Sequence, residues 1–165
     1  MVFPISDDNS DRTRTPFVTY VFIAINVAVF VFLQGLGTNE RFTYAFSVVP
    51  EEIRTGDDIA RQVPVEVGGE TASIPLQPTP GHVYVTLLVS MFMHGSFMHL
   101  FGNMLFLWIF GDNVEDDLGH GRYVGFYLLT GLLASLAHIG GFVAGVVLVK
   151  VFGAGVRRPA RDRWA

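Results

Sequence analysis

The sequence predicts an all-α fold, a polytopic membrane helix bundle of three to four spans. Three observations lead there. Half of the 165 residues are hydrophobic and only 16% are charged, against about 25% in a soluble domain. The apolar residues gather into three long runs, 17–33, 83–110 and 123–152. Polar segments rich in Pro, Gly and acidic residues separate those runs.

The 15 residues before the first run are polar and lack the basic start, short apolar core and small-residue cleavage site of a signal peptide. The first run is therefore expected to stay as a membrane span. Pro16 opens it at a first-turn position that tolerates proline. Phe17 to Leu33 carries Asn26 but no charge. Its seventeen residues are at the short end for a span, which needs about 20. Gln34-Gly35-Leu36-Gly37 is expected to stop it.

A long polar loop, 35–81, follows. Between Glu40 and Gly81 it holds ten charged residues and five prolines. Phe42 to Ile53 has the pattern of a short interfacial helix. Val63 to Gly69 reads as a small hairpin.

The run from Val83 to Phe110 is too long for one untilted span, and His94-Gly95-Ser96 interrupts it. Val83 to Met93 reads as a re-entrant approach. Ser96 is the expected N-cap, and Phe97 to Phe110 the second spanning helix. Gly111 to Arg122 is expected to turn, with Asp112, Glu115, Asp116 and Asp117 forming a solvated acidic loop. Tyr123 to Phe152 fits neither one span nor two: thirty helical residues reach about 45 Å, and two spans need about 40 residues. The tail, 153–165, carries four arginines. Basic residues at both ends place both termini in the cytoplasm, with the chain multi-pass in the cell membrane. A membrane domain over 16–152 between a polar N-terminal tail, 1–15, and a basic C-terminal tail is the expected organisation.

A net charge of −4 argues against nucleic acid as a partner. The lack of cysteine excludes disulfides, thiolate metal sites and a Cys nucleophile. Polar residues inside spans are costly and mark functional sites. His94, His99, Asn103 and His138 stand out. His99 and Asn103 are four apart and share a helix face. Two donors stacked there can cradle a developing oxyanion, or simply tie neighbouring helices together. His138 can act as a general base near neutral pH, or as a buried tether. Gly141 and Gly145 form a small-xxx-small face for close helix approach. His94 and His99, five apart, do not have the spacing of a helical zinc pair. No metal or other cofactor is expected.

His94-Gly-Ser-Phe-Met-His99-Leu-Phe-Gly-Asn103 resembles the HxxxxHxxxN motif of the rhomboid family of intramembrane serine proteases. Ala137-His138-Ile-Gly-Gly141-Phe-Val-Ala-Gly145 resembles that family's AHxxGxxxG motif. The resemblance runs from Pro16 to about Phe152 and implies a partial rhomboid-like bundle. It implies that His138 is the base, that His99 and Asn103 line the oxyanion site, and that His94 supports the entrance. It also implies a structural role for Glu115 at the loop end. Partners would be the lipid bilayer and the transmembrane segments of substrate or client proteins.

The family's base serves a serine in a GxSG motif, and this sequence has none. Its serines are Ser6, Ser10, Ser47, Ser73, Ser90, Ser96 and Ser135. Residues 128–137 look like the family's third span and run straight into His138, as if an internal deletion had joined the third span to the sixth. Ser135, three residues before His138, is the candidate nucleophile by contact. A mid-helix serine, however, is expected to bond back to the carbonyl four residues earlier. The sequence therefore points to a rhomboid-type serine endopeptidase by lineage, inactive as it stands. The alternative is a pseudoprotease that binds transmembrane helices without cutting them.

Overall fold

A computed structural model describes residues 13–67 and 70–153, with the side chains of 65–67, 70, 72, 138, 139 and 141–153 outside that description. Helix α1, Phe17–Ala28, continues into a π-helical turn, Val29–Leu33, and a 3-10 turn, Gly35–Gly37. The polar loop then forms α2, Glu40–Phe46, and α3, Pro50–Thr55. An antiparallel hairpin follows, β1, Gln62–Val67, and β2, Glu70–Pro75, with Val63 opposite Ile74 and Val65 opposite Ala72. Helix α4, Val85–Val89, and a 3-10 turn, Ser90–Phe92, lead to α5, Phe97–Leu118, and α6, His120–Gly153.

The molecule is mostly helical, and the expected elements have local causes. Asn39 caps α2 by accepting from the Phe42 N–H at 3.2 Å. Pro50 sits in the first turn of α3, where its missing N–H costs nothing. Gly56 ends α3 in the left-handed region at φ 80°. The interfacial stretch expected as one piece over Phe42 to Ile53 is two helices, because Ser47 and Val49 are extended.

Among the described residues, no single helix is long and apolar enough to cross a membrane alone. The segments Val85–Phe92 and Phe97–Leu118, bent by 84° at His94-Gly95-Ser96, meet that standard together. The bend falls at the interruption read from the sequence. Ser96 caps α5 as expected, accepting from the His99 N–H at 3.1 Å.

The acidic turn is a correction. Helix α5 runs two turns past Phe110 to Leu118, and Gly119 alone separates it from α6. Its φ of 74° and ψ of 156° suit glycine and few other residues. The acidic residues are therefore helical, and Glu115 and Asp112 are buried rather than solvated. The third apolar run forms one continuous helix, α6, through residue 138 and onward.

Helices α1, α5 and α6 pack on one another around Val18, Phe22 and Tyr123. Leu107, Val114, Leu118 and Tyr127 close over that core. The Phe22 and Tyr127 rings stack with centroids 3.9 Å apart.

Candidate functional site

The two ends of the three-helix unit differ in their polar chemistry. At one end, Glu115 is fully buried and its carboxylate accepts the first free N–H groups of α1: Val18 N at 2.9 Å and Thr19 N at 2.8 Å. The Thr19 hydroxyl donates to it at 2.7 Å, and Nδ1 of His120 lies 2.5 Å away. A carboxylate at a helix N-terminus satisfies orphan donors and opposes the helix dipole. Beside it, Asp116 accepts from Thr13 N, the Thr13 hydroxyl and Arg14 N at 2.6–3.2 Å, while the Arg14 guanidinium donates to the Asp116 carbonyl. The structural role given to Glu115 thus has a definite form: it staples α1 to the α5–α6 joint.

At the other end, α5 and α6 part around a cavity of about 560 Å³. His94, Asn103, Asn26, Tyr127, Thr130 and Gly131 contribute to its lining, among apolar neighbours. His94 is buried, with Nδ1 3.3 Å from the Phe92 carbonyl. Its ring meets that of His99 edge-on at 5.3 Å. Asn103 is exposed on the cavity wall and its side chain makes no hydrogen bond among the described residues. Asn26 is satisfied: its Nδ2 donates to the Phe22 carbonyl at 2.7 Å and to the Tyr127 hydroxyl at 3.1 Å.

The structure therefore brings His94 to both members of the pair read from the sequence, but in different ways. It shares the cavity with Asn103, and it shares a ring contact with His99. His99 is exposed on the first turn of α5, outside the cavity lining. His138, Gly141 and Gly145 lie on α6, with side chains outside the described residues. Ser135 bonds back to the Gly131 carbonyl at 3.2 Å, four residues earlier.

Sequence reasoning did not single out Gln34, Tyr127 or Thr19 as parts of the site. Asn26 was visible as a strongly polar residue inside an apolar run, which is a signal in itself. Gln34 read only as a helix stop. Met91 is another: a Cβ built on Gly131 would fall 2.2 Å from its terminal methyl, so the thioether occupies the notch that the glycine leaves.

In the polar loop, Glu52 is buried and accepts from the Ile59 N–H at 2.9 Å. Burial pushes its carboxyl above the ordinary range, the Asp58 charge adds to this, and the Ile59 hydrogen bond opposes both. Asp58 in turn accepts from Thr79 N at 3.1 Å. These bonds tie α3 to the approach into α4.

Residues 81–137 match the family model of the rhomboid domain. The matched segment includes His94, His99, Asn103 and Glu115, and ends at Ala137, one residue before the second histidine motif. The bent helix pair and the HxxxxHxxxN pattern at its break lie within the match. Over these residues, about a third of the chain, the protein is similar to the rhomboid domain. No curated protein and no solved structure matches the chain.

Proposed function

We propose that this rhomboid-like chain binds transmembrane segments of client proteins without cutting them. The supporting observation is the pairing of an open cleft with an unsatisfied amide. In a bilayer, an apolar helix face bearing a free carboxamide gains from a partner helix that offers a hydrogen-bonding side chain. Asn103 supplies that group on the cavity wall. Close packing at the α6 glycines Gly141 and Gly145 is part of the same reading, and so are residues 16–152 as its membrane domain.

The lineage reading is a serine endopeptidase with His138 as base and His99 and Asn103 as oxyanion donors. His94 supports the entrance. That chemistry needs a nucleophile with a free, exposed oxygen. The chain has no GxSG, and the Ser135 hydroxyl is engaged with its own helix. Catalysis is therefore the weaker proposal.

Two measurements on the purified protein in lipid separate them. A photo-crosslinker placed at Phe106, which lines the same cavity, should capture a single-span peptide, and His138→Ala should leave capture unchanged. A fluorophosphonate serine-hydrolase probe should not label the protein. Labelling abolished both by Ser135→Ala and by His138→Ala would establish a rebuilt catalytic pair and overturn the binding reading.

A further inference from the structure

Gln34 has no part in the reading above, yet it is among the most enclosed polar side chains, at 2% exposure. Helix α1 does not reach it as a regular helix. Val29–Leu33 is π-helical, and the Gln34 N–H donates to the Val29 carbonyl five residues back at 2.9 Å. One extra residue in a helical turn rotates everything beyond it by about 100°. That rotation turns Gln34 toward the segment between α4 and α5.

Its carboxamide then makes two bonds to one residue. Gln34 Nε2 donates to the His94 carbonyl at 3.0 Å, and the His94 N–H donates to Gln34 Oε1 at 2.9 Å. The pair is an amide facing a peptide, with both polar groups of His94 satisfied sixty residues away in sequence. His94 sits at the break between the two segments, where no helix or sheet ladder serves its backbone.

The chain spends strain to hold this arrangement. Gly35, Leu36 and Gly37 are all left-handed, at φ 56°, 58° and 91°. For leucine that region is strained, because its Cβ crowds the backbone there. Asn39 locks the reversal: its N–H donates to the Gln34 carbonyl at 2.9 Å and its Nδ2 to the Leu33 carbonyl at 2.8 Å. A π-turn and a strained non-glycine residue together, flanking one buried amide, indicate a position that the structure over-determines.

We propose that Gln34 is a positioning residue whose carboxamide clamps the His94 peptide and so fixes the His94–His99 ring pair at the mouth of the α5–α6 cleft. The clamp needs a donor and an acceptor on one planar group at this reach. Glutamate has no donor, asparagine is one methylene short, and methionine has the length with neither function. The clamp is independent of helix capture; only its effect on a captured segment rests on the binding reading.

The test is imidazole NMR of the full chain in bicelles, with resonances assigned by His→Gln variants. Gln34→Met should shift the His94 and His99 ring signals and leave His82 and His120 in place. Thr19→Val, which removes a hydrogen bond to Glu115 at the opposite end, should lower the melting temperature without moving the His94 or His99 signals. A folded Gln34→Met protein with wild-type His94 and His99 resonances would overturn the clamp. Should Gln34→Met not fold, amide exchange in the wild type decides. The His94 N–H should exchange at least tenfold more slowly than that of exposed Gly95, and equal rates would reject the proposal. Absent crosslinking from Phe106 beside an intact NMR result would sink helix capture and leave the clamp standing.

Discussion

The Glu115 end and the Asn103 end of the same three helices are built on opposite plans. At the first, one buried carboxylate satisfies four donor groups or neighbours from α1 and α6. At the second, α5 and α6 separate, and a carboxamide faces the space with no partner among the described residues. Polar groups at the closed end serve the fold, because every one is used up within the chain. A polar group at the open end is available to something else. Burial of a polar side chain is therefore a poor guide to function in this protein; an unspent hydrogen bond is a better one.

The sharpest way to break this contrast is Glu115→Leu. It leaves the Val18 and Thr19 N–H groups and the Thr19 hydroxyl buried without an acceptor. We expect a loss on the order of 3 kcal/mol, read as a large drop in the thermal midpoint in detergent. A midpoint near wild type would mean that the closed end does not hold the bundle together.

Gly111→Val comes next. A Cβ there falls 2.7 Å from the Tyr123 hydroxyl and 3.1 Å from both Leu107 and Thr19 side-chain carbons. Overpacking of this kind costs about 1–3 kcal/mol. Gly131→Ala probes the open end in the same way and should cost less than about 1 kcal/mol. The atom it meets is the end of Met91, which has free space to swing into. Equal losses at the two glycines would erase the distinction between the ends.

Asn103→Ala should leave stability within about 0.5 kcal/mol while removing helix capture. A destabilised Asn103→Ala protein would show that the amide serves the fold after all.

The smallest effect concerns the polar loop. The Glu52 carboxyl is raised above its ordinary value in the folded loop, so the folded form holds its proton more tightly than the unfolded one. Loop stability should rise as pH falls through that raised value and level off below the ordinary carboxylate range. Exchange of the Ile59 amide, followed against pH, reads this directly. Glu52→Gln should flatten the profile, and an unchanged slope would remove Glu52 as its source.

Much of this was legible in the residues. The break at His94-Gly95-Ser96, the Ser96 cap and the Ser135 back-bond all follow from local chemistry, while the hairpin read over Val63 to Gly69 has its second strand beyond that range, at Glu70–Pro75. The likeness to the rhomboid domain over 81–137 was legible in the spacing of His94, His99 and Asn103. The acidic turn was misread because charge density within Gly111 to Arg122 looks like solvent exposure. Only the distant N–H groups of Val18 and Thr19 explain why Glu115 is buried in a helix. Gln34 was missed for a related reason. Its partner is sixty residues away, and a π-turn shifts the helix register in a way that no 3.6-residue pattern reveals. Long-range satisfaction of a single polar group leaves no local trace.

The one-residue link at Gly119 has a mechanical consequence. Two backbone torsions there are the whole covalent joint between α5 and α6, and the Glu115 staple sits beside them like a pin. Asn103 lies sixteen residues along α5, about 24 Å from that joint at the helical rise. A swing of roughly 5° at the joint would carry the cleft mouth by about 2 Å over that lever arm. The width of the opening is thus geared to a residue at the far end of the molecule, and the stiffness of that pin sets how widely the jaws can part.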